Sequence, residues 1–271
     1  MVKIAVLQMT SGIDPEANFE TIARAVLDAS LEGAEILFTP EMSLHLDRDR
    51  KRAAPHIEDA VDSPMAQRLA GLAGEAGLYL TVGAPLRRGG ERLANCQWLF
   101  GPNGGPPVPY DKIHMFDVEL STGEAWRESN AYAPGQEVVT VDDTPVGRLG
   151  FAICYDMRFP ALFEALGNRR CDAIAIPAAF TKPTGAAHWH VLLRARAIEA
   201  SAFVIAAAQV GKHEDGRETY GHSLVVDPWG EVLLDMGGEE PGLGFCEIDL
   251  GRIAEVRQQV PSLANRREIP N

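Results

Sequence analysis

The positions of hydrophobic and polar residues alternate between two periods along the chain. Residues 3–9 (KIAVLQM) form a short apolar run, which predicts a buried strand. Asp14 and Pro15 follow as an N-cap and a first-turn proline, and they predict the start of a helix. The apolar residues of this helix fall on one face, at Phe19, Ile22, Ala23, Val26 and Leu27.

The same order of strand and helix repeats and predicts an α/β fold with helices covering a sheet. Further strands are predicted at residues 35–39, 78–84, 95–100, 146–154, 172–177, 203–209, 223–227, 231–235 and 244–248. Further helices are predicted from residue 64 and at residues 160–166 and 188–200. Residues 101–136 are predicted to be a mostly irregular, functional loop, because they are rich in Gly, Pro and polar residues. No linker composition interrupts the chain, so we expect a single domain over residues 1–271.

Composition and charge exclude several classes of protein. A hydrophobic share of 46% in 271 residues can build a sizeable core. An excess of 38 acidic over 25 basic residues, a net charge of −13, disfavours nucleic acid and anionic lipid as partners. No apolar run approaches the roughly 18 residues of a membrane span, and the first residues do not resemble a signal peptide. The four cysteines form no C-x-x-C pair, so neither a disulfide framework nor a zinc site is expected. These features predict a cytoplasmic globular protein.

Cys154 is the first candidate for chemistry. It ends a predicted apolar strand and precedes a predicted helix, so it is presented where α/β proteins bind ligands. Backbone N–H groups of the next turn could also point at an oxyanion. Taken alone, a cysteine in this context is more often a small buried hydrophobe. That second interpretation is the one we apply to Cys96, Cys171 and Cys246.

Two charged residues stand in comparable positions. Glu41 follows the end of a predicted strand, where partial burial would raise the pKa of its carboxyl toward that of a general base. Lys112 lies among apolar and aromatic residues, where its ammonium could neutralise an oxyanion. Each of these residues taken alone is more often a solvated surface group.

Taken together, three segments resemble one family. They are P-E at residues 40–41, Y-D-K-I-H-M-F at 110–116 and G-F-A-I-C-Y-D-M-R-F-P at 150–160. Their order and approximate spacing are similar to the Glu-Lys-Cys motifs of the nitrilase, or carbon–nitrogen hydrolase, superfamily, and the resemblance covers nearly the whole chain. The later stretches L-L-R-A-R-A-I-E and A-A-A-Q resemble deaminated glutathione amidases more than omega-amidases.

The resemblance implies a four-layer α-β-β-α sandwich and a mechanism. Glu41 would take the proton from Cys154, which attacks an amide carbonyl. Lys112 and the Tyr155 backbone N–H would hold the oxyanion. A thioester then forms with release of ammonia, and water activated by Glu41 hydrolyses it. This chemistry calls for no metal and no organic cofactor.

Further site residues are implied by the same resemblance. Glu128 would orient Lys112 or the attacking water, against the plainer interpretation of a loop glutamate. Arg158 could meet a substrate carboxylate, although an internal ion pair is the commoner role. The remaining predicted oxyanion or substrate contacts are Tyr155, Phe180, Thr181 and His188.

Two other features of the sequence concern a possible metal site and a difference from the family pattern. His188 and His190 are two residues apart on a predicted helix and point to different faces, so we do not expect a metal pair. Ala161 stands where the family usually has Glu. This difference puts one local ion pair in doubt but not the Glu-Lys-Cys set.

We therefore expect an amidase for a small carboxylated amide, with deaminated glutathione as the first candidate substrate. An omega-amidase acting on 2-oxoglutaramate and a broad-specificity aliphatic amidase are the alternatives among enzymes. A non-catalytic binding homologue is the alternative outside them, and the intact Glu41, Lys112 and Cys154 argue against it. The resemblance also implies a homodimer or higher homo-oligomer, formed through helices beside the site.

Overall fold

Strands and helices alternate along a computed structural model that describes residues 1–60, 63–119, 123 and 125–267. The strands are β1 (Val2–Gln8), β2 (Ile36–Phe38), β3 (Tyr79–Arg87), β4 (Leu93–Phe100), β5 (Val108–Asp111), β6 (Asp117–Glu119), β7 (Ala125–Arg127), β8 (Thr140–Thr144), β9 (Gly147–Phe151), β10 (Ala173–Ala175), β11 (Phe203–Ala206), β12 (Val210–Lys212), β13 (Glu218–Tyr220), β14 (Leu224–Val226), β15 (Val232–Asp235) and β16 (Gly242–Ile248). The helices are α1 (Pro15–Leu31), α2 (Arg50–Ala53), α3 (Pro64–Ala76), α4 (Pro160–Asn168), α5 (Lys182–Ala200), α6 (Gly251–Gln259) and α7 (Ser262–Asn265). Short 3-10 helices span Ala54–His56, Glu128–Asn130 and Cys154–Arg158.

Within these residues, two six-stranded sheets carry the fold. The first sheet has the strand order β16-β1-β2-β3-β4-β5, and the second has the order β15-β14-β11-β10-β9-β8. Strands β1, β2 and β3 run parallel in the first sheet, as do β9, β10 and β11 in the second. The carboxyl ends of each parallel set therefore meet at one edge of a sheet, which is where α/β folds place their ligands.

Alternating residues of β1 show how the layers form. Ala5 and Leu7 pack in one core together with residues of α1 and α3. Ile4 and Val6 point the other way, into a second core shared with Phe151 of the second sheet and with α4 and α5. The two sheets therefore pack face to face, and helices cover their outer faces. The predicted four-layer α-β-β-α sandwich is confirmed.

The helices begin largely where capping residues predict. The Asp14 side chain accepts from the Glu16 backbone N–H at the start of α1. Helix α5 begins at Lys182, six residues before the predicted start at residue 188. The prediction missed these residues because the first turns of the helix lack apolar periodicity. Helix α6 buries only Ile253 and Val256, too few apolar positions for the pattern to predict it. None of the helices in the described ranges is long and apolar enough to cross a membrane.

The segment 101–136 is less irregular than predicted. It contains β5, β6 and β7, and strands of three or four residues are too short to display a two-residue period. Residues 120–122 and 124, which fall within the predicted loop, lie outside the described residues. The segment brings Lys112 and Glu128 toward the carboxyl end of β2.

Candidate active site

Segments from both sheets bring one cluster of charged side chains together. Glu41 follows β2 and Lys112 follows β5, both in the first sheet, and Glu128 opens a 3-10 helix after β7. Cys154 follows β9 of the second sheet. It is the first residue of a 3-10 helix, and the prediction that the strand extends to residue 154 is wrong.

Glu41 is fixed by donors from both sheets. Its side chain is almost completely buried, and Oε1 accepts from Lys112 Nζ at 3.0 Å and from Asn95 Nδ2 at 2.8 Å. Oε2 accepts from the Ala179 backbone N–H at 2.9 Å. Gln209 Nε2 donates to the main-chain oxygen of Glu41 at 3.0 Å. These contacts leave the carboxylate little freedom to rotate.

Lys112 is held between two glutamates. Its Nζ lies 2.9 and 3.1 Å from the two carboxylate oxygens of Glu128, in addition to its contact with Glu41. Glu128 also accepts from the Phe116 backbone N–H at 2.6 Å and from Asn95 Nδ2 at 3.0 Å. Burial lowers the pKa of Lys112, but the negative charges of Glu128 and Glu41 outweigh it and raise the pKa well above its usual value. The lysine is therefore an ammonium at neutral pH.

The sequence expectation for the pKa of Glu41 is wrong in direction. Burial does raise the pKa of this carboxyl, as expected. However, the charge and hydrogen bond of Lys112, which is 71 positions away in sequence, outweigh burial and hold the pKa below its ordinary value. Glu41 is therefore ionised at neutral pH and ready to accept a proton.

Cys154 adopts a backbone conformation that non-glycine residues rarely adopt. Its φ is 50°, in the left-handed region, and its N–H donates to the Pro177 carbonyl oxygen at 2.9 Å. Burial, followed by the negative charge of Glu41, raises the pKa of the Cys154 thiol well above its usual value. The resting residue is therefore a protonated thiol at neutral pH.

A buried carboxylate holds the turn that carries Cys154. Asp156 is fully buried, and it accepts from the Ile153 backbone N–H at 2.9 Å and the Tyr110 hydroxyl at 2.7 Å. It also accepts from the His114 backbone N–H at 2.9 Å. These contacts tie the cysteine turn to the segment that carries Lys112.

A glycine allows β3 to approach the backbone around Glu41. A Cβ atom at Gly83 would lie 2.6 Å from both the Met42 nitrogen and the Pro40 oxygen. Met42 itself has a φ of 56°, and Ser43 Oγ accepts from the Gly83 N–H at 3.0 Å. The absent side chain of Gly83 is thus part of what positions Glu41.

The charged cluster opens onto a cavity of about 420 Å³. Glu41, Lys112, Glu128 and Cys154 all line it. Three of the predicted oxyanion or substrate contacts line it as well, namely Tyr155, Phe180 and Thr181. The cavity is of a size suited to a small organic substrate.

Arg158 and His188 lie beside this cavity rather than in its lining. Arg158 Nη1 donates to His188 Nδ1 at 3.3 Å, and the guanidinium stands 5.3 Å from the ring centre of Phe180. The structure thus pairs Arg158 with an imidazole instead of the carboxylate of an internal ion pair. Their predicted role as substrate contacts stays a prediction.

Asn95 is the most informative residue that the sequence did not point to. Its Nδ2 donates to both Glu41 and Glu128, and the side chain is almost completely buried. Its Oδ1 is buried without a hydrogen-bond partner among the described residues. A polar residue in the apolar strand N-C-Q-W-L-F is the signal that could have marked it.

A different group of side chains has the donor set of a metal site. His190, His222 and Asp235 place three possible ligand atoms within 4.8 Å of one another. Asp235 accepts from His190 at 3.0 Å and from His222 at 2.9 Å, so the three form a hydrogen-bonded chain. None of the three lines the cavity at Cys154. His188 is not part of this group and instead contacts Arg158.

Comparison with known proteins identifies the family of this chain. The family described as carbon-nitrogen hydrolase matches residues 3–258. The deaminated glutathione amidase of Bos taurus is 40% identical over 269 residues, which cover 97% of this chain and 81% of that protein. Both matches extend over nearly the whole chain.

Two solved structures are also similar. The NitFhit protein of Caenorhabditis elegans is 36% identical with a TM-score of 0.88, over 98% of this chain and 65% of that chain. A mutant amidase from Nesterenkonia sp. AN1 is 26% identical with a TM-score of 0.79, over 96% of this chain and 98% of that one. It shows Michael addition of acrylamide at its active-site cysteine. The chain described here belongs to the carbon–nitrogen hydrolase family.

Proposed function

We propose that this protein is an amidase that hydrolyses deaminated glutathione, with Cys154 as nucleophile, Glu41 as general base and acid, and Lys112 as oxyanion stabiliser. The observation that carries the proposal is the buried contact of Glu41 with Lys112, 3.0 Å from Oε1 to Nζ, in the lining of a cavity that Cys154 shares. Curated relatives that bear this activity in their names support the choice of substrate.

The acylation step follows from the protonation states of Glu41, Lys112 and Cys154 in the resting protein. Cys154 Sγ attacks the amide carbonyl carbon while its proton passes to the ionised Glu41, so the negative charge of Glu41 is replaced by that of the substrate oxygen and the net charge of the cluster does not change. The carbonyl oxygen becomes an oxyanion that the Lys112 ammonium stabilises. The Tyr155 backbone N–H is a second donor, because N–H groups in a first helical turn lack partners within the helix.

The leaving group depends on the amide. Deaminated glutathione joins a 2-oxoglutaryl group to cysteinylglycine, so the protonated Glu41 gives its proton to the amine of that dipeptide. Ammonia leaves only when the substrate is a primary amide such as 2-oxoglutaramate, and the sequence expectation of ammonia release applies to that case alone. Both substrates leave the same 2-oxoglutaryl thioester on Cys154.

Deacylation uses the same groups in reverse. Glu41 takes a proton from water, the hydroxide attacks the thioester carbonyl, and the collapse of the intermediate releases 2-oxoglutarate. The departing Cys154 thiolate recovers a proton from Glu41. Glu128 keeps Lys112 aimed at the oxyanion through both steps, since it contacts Nζ with both oxygens.

The substrate is tested by measuring 2-oxoglutarate release from deaminated glutathione and from 2-oxoglutaramate, with the Cys154→Ala protein as blank. We expect kcat/KM to be at least about tenfold higher for deaminated glutathione, the effect of one hydrogen bond to a charged group. The reverse preference would make the protein an omega-amidase. Release from neither, together with turnover of simple aliphatic amides, would make it a broad-specificity aliphatic amidase.

We also propose a cytoplasmic location. A catalytic cysteine has to remain a free thiol, and the reducing cytoplasm maintains that state. Fractionation of cells that produce the protein at its natural level should recover it with cytoplasmic markers. Recovery with a periplasmic or organellar fraction would contradict the proposal.

A homo-oligomer formed through α5 is a further proposal. Val191 and Ile198, seven residues apart on one face of this helix, are 67% and 50% exposed. Trp229 is 48% exposed, and its neighbour Gly230 is in contact with Ile198. Exposed apolar side chains that adjoin in this way are typical of subunit interfaces.

The interface is tested by sedimentation velocity on Val191→Asp. A buried charge at the interface should shift the protein toward the monomer. Leu27→Asp is the matched control, because Leu27 is 58% exposed on α1, a helix of the other outer layer. Equal behaviour of the two variants would contradict an interface at α5.

A further inference from the structure

An open vestibule adjoins the cavity at Cys154. A second cavity, of about 770 Å³, shares part of its lining with the first. The shared residues are Arg48, Trp126, Arg127, Thr181, Arg217 and Glu218. A substrate bound at the cysteine can therefore extend into this second space.

The lining of the vestibule carries mostly positive charge. Arg48, Arg127, Lys182 and Arg217 contribute cations, against the single carboxylate of Glu218. The protein as a whole has the opposite sign, with a net charge of −13. A cationic recess on an acidic protein attracts an anionic group of a ligand to that place.

Most of these cations already have partners. Arg217 lies 2.7 Å from Asp215 and stacks on Trp126, and Lys182 lies 3.4 Å from Glu218. Arg127 lies 3.6 Å from Glu119. These three cationic side chains shape the vestibule, but their charges are largely compensated.

Arg48 differs from its neighbours. It is exposed and forms no ion pair within residues 1–60, 63–119, 123 and 125–267. Its backbone N–H donates to Asp215 Oδ2 at 3.0 Å, and its guanidinium lies against Gly216. The backbone is thus anchored while the planar, bidentate donor of the side chain remains available for a carboxylate.

We propose that Arg48 and this vestibule bind the terminal carboxylate of the amine that leaves, so that the enzyme selects amides whose leaving group is a short peptide. The inference rests on the proposed function and deepens it by assigning the leaving-group side of the substrate. A dipeptide reaches at most about 7 Å beyond the scissile bond, a span suited to a subsite that adjoins the cavity. A primary amide has no group to place there.

The test compares Arg48→Gln with the wild type on three substrates. They are deaminated glutathione, the same compound with its glycine carboxylate converted to an amide, and 2-oxoglutaramate. We expect Arg48→Gln to raise KM for deaminated glutathione about 10- to 100-fold, as loss of a charged hydrogen bond does, with kcat little changed. With the wild type, the amide analogue should have a KM that is higher than that of deaminated glutathione by the same factor. Arg48→Gln should not raise the KM of this analogue further. For 2-oxoglutaramate the two proteins should be equal.

Arg92→Gln is the matched control for the removal of one positive charge. Arg92 is exposed, lines neither cavity and donates to the Ser129 carbonyl oxygen. Arg92→Gln should leave kcat and KM unchanged for all three substrates. An equal effect of Arg48→Gln on deaminated glutathione and 2-oxoglutaramate, or no effect on either, would overturn the proposed subsite.

Binding of deaminated glutathione to the Cys154→Ala protein, measured by calorimetry, separates the subsite from the reaction. Tight binding that Arg48→Gln weakens at least about tenfold supports the subsite even if the wild type turns over another amide. Binding that is indifferent to Arg48 overturns the subsite even if deaminated glutathione is hydrolysed. The two proposals therefore fail in distinguishable ways.

Discussion

The two sheets position their parts of the site by different means. The first sheet, together with the 3-10 helix after β7, supplies what we term the acid–base half. Its side chains, Glu41, Asn95, Lys112 and Glu128, are joined by hydrogen bonds of 2.8–3.1 Å. The second sheet supplies the nucleophile half, Cys154 with its supporting turn, which main-chain geometry holds in place. Substitutions in the acid–base half should therefore move pKa values, whereas those in the nucleophile half should remove the reaction.

The two halves are joined at Glu41. The Ala179 backbone N–H reaches Oε2 at 2.9 Å, and the Gln209 side chain reaches the main-chain oxygen at 3.0 Å, both from the second sheet. Glu41 is therefore held in place relative to Cys154 by two contacts, and substitutions of Asn95, Lys112 or Cys154 remove neither of them. This allows each half to be tested separately.

The largest effect is expected in the nucleophile half. Cys154→Ala should lower kcat by about 10⁴-fold or more, since it removes the proposed nucleophile. The melting temperature should change little, because alanine keeps the small size of the residue. Substantial turnover of the variant, measured against a heat-inactivated blank, would contradict the assignment.

Lys112→Gln tests the charge balance of the acid–base half. We expect a loss of about 10²- to 10³-fold in kcat, as for other oxyanion donors. The acidic limb of the kcat/KM profile should also move to higher pH, because burial raises the pKa of Glu41 and the charge and hydrogen bond of Lys112 no longer oppose it.

Stability of the same variant provides a second readout. Removal of the cation leaves the buried carboxylate of Glu41 and the partly buried one of Glu128 without their shared counter-charge, so the free energy of unfolding should fall by about 3–5 kcal/mol. Urea unfolding at neutral pH measures this loss. An unchanged stability would show that the glutamates are not held as a charged network.

Asn95→Leu should have a smaller effect of the same kind. Loss of the Nδ2 donor should lower kcat/KM by about 10- to 100-fold and shift the acidic limb upward, because this hydrogen bond helps to hold down the pKa of Glu41. Wild-type activity should persist to below the usual range for glutamate and fall as pH drops through the lowered pKa.

Gln97→Leu is the matched control for that substitution. Gln97 lies two residues along the same strand, equally buried, and neither of its side-chain amide atoms has a partner among the described residues. Its removal should leave the pH profile unchanged and should not lower the melting temperature. If Gln97→Leu also shifted the pH profile of kcat/KM, the shift seen with Asn95→Leu would result from disturbance of strand β4 and not from loss of the Asn95 hydrogen bonds.

The smallest effect is expected from Gly83→Ala. The new Cβ would displace the backbone at Met42 and with it Glu41, so we expect about a tenfold loss of kcat with a small change in KM. Gly71→Ala is the control, because a Cβ there meets no atom within 4 Å and lies in helix α3. It should leave kcat unchanged and stabilise the helix by about 0.5–1 kcal/mol.

The same contrast explains what could be predicted from the sequence. Strands such as β1 and β4 are rich in apolar residues and end at turn residues, so the pattern identified them. The layered fold followed from the family resemblance. The left-handed backbone of Cys154 leaves no mark in the sequence, because the residue is not a glycine. The direction of the pKa shift of Glu41 depends on Lys112, which only the folded chain brings near. The single domain over residues 1–271 stays a prediction.

Asn95 shows most clearly which features of the site cannot be predicted from the sequence. Its place in an apolar strand was visible, but its two acceptors lie 54 and 33 positions away and converge only when β4 and the two glutamate loops meet. Long-range polar contacts of this kind have no local period. The acid–base half is consequently the part of the site that required the structure.

The central claim is that Cys154 forms a thioester with the acyl part of the substrate. Intact-protein mass spectrometry of enzyme quenched in acid during turnover of deaminated glutathione tests it most directly. The account predicts a mass increase of one 2-oxoglutaryl group, which peptide mapping places on Cys154 and which Cys154→Ala lacks. An adduct on another cysteine such as Cys246, or full turnover by Cys154→Ala, would contradict it.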